Sequence, residues 1–224
     1  MKYSTLRSKT CAPLRCSRMA RFVSGVIQLS RPISSSGPHG LFETFSPSLS
    51  MIGSYRKSHL PFLGVDRYVR AGDELPVFDT AIGRIGLEIC YDLRFPEVTR
   101  SLALAGAEIV CLPTNWPMAA AANAELLAPA RAFENRIYLL VANRVGRERT
   151  AEFCGRSQIV APDGTRLAET DATSEALLVA EIDVGWAREK SIVPAPGEYE
   201  MHLFGHRRPE LYGALVEETQ SVTT

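Results

Sequence analysis

The sequence predicts an α/β layered domain, and three observations lead there. From about Ile52 onward, short β-branched runs alternate with longer amphipathic stretches. A Pro-Asp-Gly turn at 162–164 interrupts the apolar pattern of the second half. The chain has 224 residues, 46% hydrophobic and 22% charged, which is enough to bury one substantial core.

Residues 1–50 stand apart from the domain expected over 51–224. Glu43 is their only acid, set against Lys2, Arg7, Lys9, Arg15, Arg18, Arg21 and Arg31, with many serines between. One strand is expected there, over Phe22 to Leu29. A basic, serine-rich, acid-poor opening suits a mitochondrial transit peptide, a disordered tail or a scrambled start of the gene. In the main domain a Thr80 to Gly83 turn leads into a strand over Arg84 to Ile89, and Phe95 to Ala105 has helical spacing. Glu108 to Leu112 reads as a strand, and Ala119 to Asn135 as a helix that Pro129 kinks or breaks. Strands follow at Ile137 to Ala142 and Ser157 to Ala161, with Leu177 to Ile182 expected as the hairpin partner across the 162–164 turn. Trp186 to Thr224 is loop-rich and suited to packing across a partner or an edge.

Twenty-five basic residues balance twenty-five acidic ones, so no overall field favours nucleic acid or an anionic membrane. No apolar run approaches the length of a membrane span. Five scattered cysteines read as reduced thiols in a cytoplasmic setting, or a mitochondrial one if the opening is a transit peptide. His202 and His206 lack the companions of a zinc signature, and Gly83 and Gly86 lack those of a phosphate loop, so neither a metal nor a nucleotide cofactor is expected.

Cys90 falls where the strand ending at Ile89 gives way to the helix starting near Pro96. Ligands of parallel α/β sheets collect beyond the carboxyl ends of strands, and a helix N-terminus nearby favours a thiolate. The plain alternative is a small buried hydrophobe, the role expected for Cys111 and Cys154. Lys57, flanked by Tyr55, Arg56 and His59, has its own alternative as a solvated basic loop.

Five ordered stretches then carry a resemblance: YRKSHLP at 55–61, ICYDLRFPE at 89–97, LPTNWP at 112–117, RAFENRIYLLVANRVG at 131–146 and CGRSQIVAPDG at 154–164. Together they resemble the nitrilase superfamily of carbon-nitrogen hydrolases, in wording closer to the amidase and ω-amidase branches, because Tyr91 and Asp92 follow the cysteine. The resemblance implies a carbon-nitrogen hydrolase domain over 51–224, folded as a four-layer α-β-β-α sandwich that lacks its first strand and helices. It implies a homo-oligomer, a dimer or larger, acting on a small amide. Cys90 takes the nucleophile's role and Lys57 that of the catalytic lysine, with the Tyr91 backbone N–H beside the oxyanion.

The family's general base is a glutamate at the end of an early strand, farther upstream than the 56 residues ahead of Lys57 allow. It is therefore expected to be absent, with Glu43 the sole acid available in its place. A chain without its proton shuttle is expected to be slow or inactive, surviving as a binding or assembly module. Asp66 is a candidate helper beside the lysine, or else a surface partner of Arg67 or Arg70. Glu134 is a helper by resemblance and, by its spacing, a helical partner of Arg131. Arg94 is set to hold a substrate carboxylate or to pair with Asp92 or Glu97. Asn115, Trp116 and Asn143, all near strand ends, are candidates for the pocket wall.

Overall fold

The computed structural model describes residues 20–23, 41–45 and 51–218. Its strands are β1 (Ala20–Val23), β2 (Leu41–Phe45), β3 (Met51–Arg56), β4 (Val77–Thr80), β5 (Gly83–Leu87), β6 (Ile109–Thr114), β7 (Tyr138–Asn143), β8 (Arg147–Glu148), β9 (Ala151–Glu152), β10 (Gln158–Val160), β11 (Arg166–Glu169), β12 (Val179–Ile182), β13 (Ser191–Ala195) and β14 (Tyr199–His202). Helices α1 (Pro96–Leu104), α2 (Ala128–Asn135) and α3 (Val184–Arg188) complete the frame.

A six-stranded sheet in the order β11-β10-β7-β6-β5-β4 forms the centre. Its middle strands β5, β6 and β7 run parallel, in a register that aligns Ile85, Ile109 and Tyr138. The outer strands β4, β10 and β11 are antiparallel to their neighbours. Parallel strands buried on both faces should be largely apolar, and β6 and β7 are so up to their last residues, Thr114 and Asn143. Val110, Leu112, Leu139, Val141 and Val160 face α1 and α2, while Ile109, Cys111, Tyr138, Leu140 and Ile159 fill the opposite core.

Gly86 shows how closely α1 rides on this sheet. A Cβ built there would lie 3.2 Å from the Leu102 side chain and 3.3 Å from Val110. Pro129 sits in the first turn of α2, where its missing N–H costs nothing. The helix expected over 119–135, with its kink or break at Pro129, comes in three pieces: a 3₁₀ turn at Met118–Ala120, a π-helical turn at Asn123–Leu127 and then α2.

One pairing differs from expectation. The 162–164 turn, with Gly164 at φ +81°, joins β10 to β11, so the hairpin partner is Arg166–Glu169. The run expected in that place holds β12, which pairs instead with β1. The strand expected over Phe22 to Leu29 meets β1 at its first two residues, and residues 24–29 lie outside the described ones. The transit-peptide alternative also concerns mostly residues outside them. Past α3 the chain forms the β13-β14 hairpin, where His202 and His206 pack edge to face at 5.1 Å and His202 Nδ1 lies 2.8 Å from Ser191 Oγ.

Candidate active site

Cys90 opens a single 3₁₀ turn, Cys90–Arg94, directly past the carboxyl end of β5. Its φ is +50°, a left-handed conformation that its Cβ opposes by about 1–2 kcal/mol. Local bonds hold it there: Asp92 N–H donates to Ile89 O at 3.1 Å, and Ile89 N–H donates to Asp92 Oδ2 at 2.9 Å. Cys90 is partly exposed, whereas Cys111 and Cys154 are buried. Burial pushes the Cys111 thiol up to about 12 and raises that of Cys154 as well. Both fill the structural role expected of them.

Lys57 follows β3 and is only 7% exposed, with its Nζ bonded to the Asp66 carboxylate. Asp66 thus meets the lysine, while Arg67 lies over the Phe62 ring at 4.3 Å. Removing either partner would strand a charge that is mostly out of water.

The two segments meet at Asp92, which is fully buried. Tyr55 Oη donates to its Oδ2 at 2.8 Å. His59 N–H donates to Oδ1 at 2.9 Å, with Ser58 Oγ at 3.2 Å and His59 Nδ1 at 3.1 Å from the same oxygen. The His59 ring stacks on Phe95 at 3.7 Å. Burial, then the negative charge of Asp92, raises the Tyr55 phenol well above its ordinary value, so it stays a donor.

The remaining expected residues fall as follows. Arg94 is exposed and makes no ion pair among the described residues, its expected partner Asp92 being filled by other donors. Glu134 pairs with Arg131 at 3.0 Å, the helical pairing its spacing allows, and Arg131 Nε also donates to Leu93 O of the cysteine turn at 3.2 Å. Asn115 is exposed, whereas Trp116 is drawn into the helix-side core with its Nε1 unpartnered among the described residues. The two do not share one wall. Asn143 knits strand-end loops together, accepting from Trp116 N–H at 2.9 Å and donating to Gly155 O. Glu43 lies in the middle of β2, opposite Ser54 on the strand that leads to Lys57. Clefts of 270 and 210 Å³ open beside Tyr55, Gly72 and Glu74 and beside Leu140, Ser157 and Leu177, and neither includes Cys90 or Lys57.

Sequence reasoning missed Glu88, two residues before the cysteine. It is completely buried, and neither carboxyl oxygen completes a hydrogen bond among the described residues. The Thr99 hydroxyl is close by, but in no ordinary hydrogen-bond geometry. Burial, opposed by Thr99 and reinforced by Asp92, pushes its carboxyl up to about 7. The signal was available as a lone acid among the apolar residues Ile85, Leu87 and Ile89 at the end of the strand.

Comparison with known proteins fits this geometry. The carbon-nitrogen hydrolase family model matches residues 42–190, well over half of the chain. The chain belongs to the carbon-nitrogen hydrolase family. The match begins inside the segment that sequence composition set apart as 1–50. A probable nitrilase of Schizosaccharomyces pombe is 37% identical over 164 residues, covering 73% of this chain and 58% of the relative. Deaminated glutathione amidase of Mus musculus is 37% identical over 177 residues, covering 74% and 52%. A variant of the Nesterenkonia sp. AN1 amidase matches with a TM-score of 0.65 and 28% identity over 79% of this chain and 61% of that one. That structure shows covalent addition of an acetamide moiety at its active-site cysteine. The α/β architecture is thus of the nitrilase superfamily type, and the chain spans between half and three fifths of the curated relatives' length.

Proposed function

We infer that the chain hydrolyses a non-peptide carbon-nitrogen bond of a small amide through a thioester on Cys90. The observation that carries this reading is one hydrogen-bonded ring joining the neighbours of a buried, carboxylate-paired lysine to those of a partly exposed cysteine held in a left-handed turn.

The Cys90 sulfur attacks the amide carbon, and the carbonyl π electrons move onto oxygen. The Lys57 ammonium and the Tyr91 N–H stabilise that oxyanion. The carbon–nitrogen bond then breaks, and ammonia or an amine leaves with a proton, giving the thioester. Water adds to the thioester carbon, the carbon–sulfur bond breaks, and the acid product departs as the thiol is restored. Asp66 orients the lysine through its ion pair. Arg94, exposed and unpaired, is suited to a substrate carboxylate, and this favours an amide that carries an acid group elsewhere. The amidase relatives support a small amide as the substrate.

The test is ammonia release from small ω-amides and carbamoyl compounds by the full chain and by Cys90→Ala. The variant is expected to lose at least about 10³-fold of the turnover, as removal of a nucleophile does. Equal turnover in both would remove Cys90 from the mechanism.

A second reading is a non-hydrolytic family member serving as a binding or assembly module. The two clefts described above, neither of which includes Cys90 or Lys57, favour it. Rapid, selective labelling of Cys90 by a haloacetamide would count against it.

A further inference from the structure

The carboxylate of Asp92 does more than satisfy its own turn. Tyr55 and Ser58, which reach it at 2.8 and 3.2 Å, flank Lys57 on either side. Ile89 N–H, which reaches it at 2.9 Å, and Asp92 itself flank Cys90. A buried carboxylate needs donors wherever it lies, and a 3₁₀ turn supplies one from its own backbone. Here the others come from a segment more than thirty residues earlier in the chain, and they divide between both oxygens. The carboxylate therefore fixes the register between two segments that no strand pairing joins. It also holds Cys90 in a conformation that a residue with a Cβ seldom keeps unaided.

We propose that Asp92 is a positioning residue that sets the Lys57 ammonium and the Cys90 sulfur in one geometry by bonding the neighbours of both. The proposal rests on reading those two side chains as the reacting pair. Its sign separates it from a direct electrostatic role. A negative group beside a sulfur opposes the thiolate, so removing the charge alone would quicken alkylation. Removing a positioning residue slows it, because the ammonium and sulfur drift apart.

The experiment measures alkylation of Cys90 by iodoacetamide at neutral pH, read by peptide mass mapping on the full chain, alongside kcat and KM for a small amide. Asp92→Asn keeps the shape but leaves donors without an acceptor. Its alkylation is expected to slow by between about ten- and a hundredfold, with kcat falling in parallel and KM nearly unchanged. Alkylation as fast as in the parent chain, or faster, overturns the proposal. If Asp92→Asn does not fold, Tyr55→Phe and Ser58→Ala each remove one donor from a different oxygen. Both are then expected to slow alkylation, and parent rates in both overturn the proposal equally. Cys90→Ala separates the two levels: a variant that keeps full turnover refutes the underlying reading, whatever Asp92 does.

Discussion

Glu88 gives the residue scale its sharpest test. Its folded carboxyl is held near 7, above the ordinary 4.5, because burial penalises the anion. The folded state therefore keeps a proton that the unfolded state has already released. The stability this contributes is complete below about pH 4.5 and is lost as pH rises to about 7, amounting to an order of 3 kcal/mol. Glu88→Gln removes the titration, so denaturant unfolding at pH 5 and again above pH 7 should show a flatter profile and a more stable variant at the higher pH. Parallel profiles for the two chains would mean that Glu88 is ionised in the fold. Cys90 and Lys57 could be proposed from sequence because their motifs are local strings of residues. Glu88 and Asp92 could not, because their importance lies in which donors reach them, and a string does not record that. Asp92 was read as part of the cysteine motif and as a possible partner of Arg94, which it does not meet.

At the level of elements, spacing located β5, β6, β7, β10 and α1 to within a few residues, since each carries its own periodicity. Pairing was harder to read. Val179–Ile182 has the alternation of a strand, but nothing in those four residues names β1 as its neighbour. The helix expected over 119–135 is divided next to Pro129, where a kink or break was expected: a π-helical turn ends at Leu127 and α2 starts at Ala128, because proline can begin a helix but cannot lie within one without breaking a bond. Gly86 carries the element-scale prediction. With α1 seated on its bare Cα, Gly86→Val drives two methyl groups against Leu102 and Val110. A loss of about 1–3 kcal/mol in unfolding free energy is expected. An unchanged denaturation midpoint would show that α1 can lift off the sheet at no cost.

For the whole molecule, family and fold class were readable because five motifs in order constrain far more than any one of them. Phe62 is 85% exposed, Tyr68 79% and Val216 88%, with Leu211 and Leu215 beside the last of these in sequence. Bare aromatic and aliphatic surface of this kind supports the homo-oligomer that the family resemblance implies. Sedimentation velocity at rising concentration is expected to show a dimer or larger species, and Leu215→Asp together with Val216→Asp should shift it toward the monomer. A single monomeric boundary at every concentration would remove the C-terminal turns from any interface.

The convergence on Asp92 reaches beyond the bench. Drift at Tyr55 or Ser58 would be felt at the cysteine, and drift at residue 92 would be felt at the lysine, although more than thirty codons separate them. Selection therefore meets the two stretches as a single heritable character, and a lineage that relaxes one has little reason to retain the other.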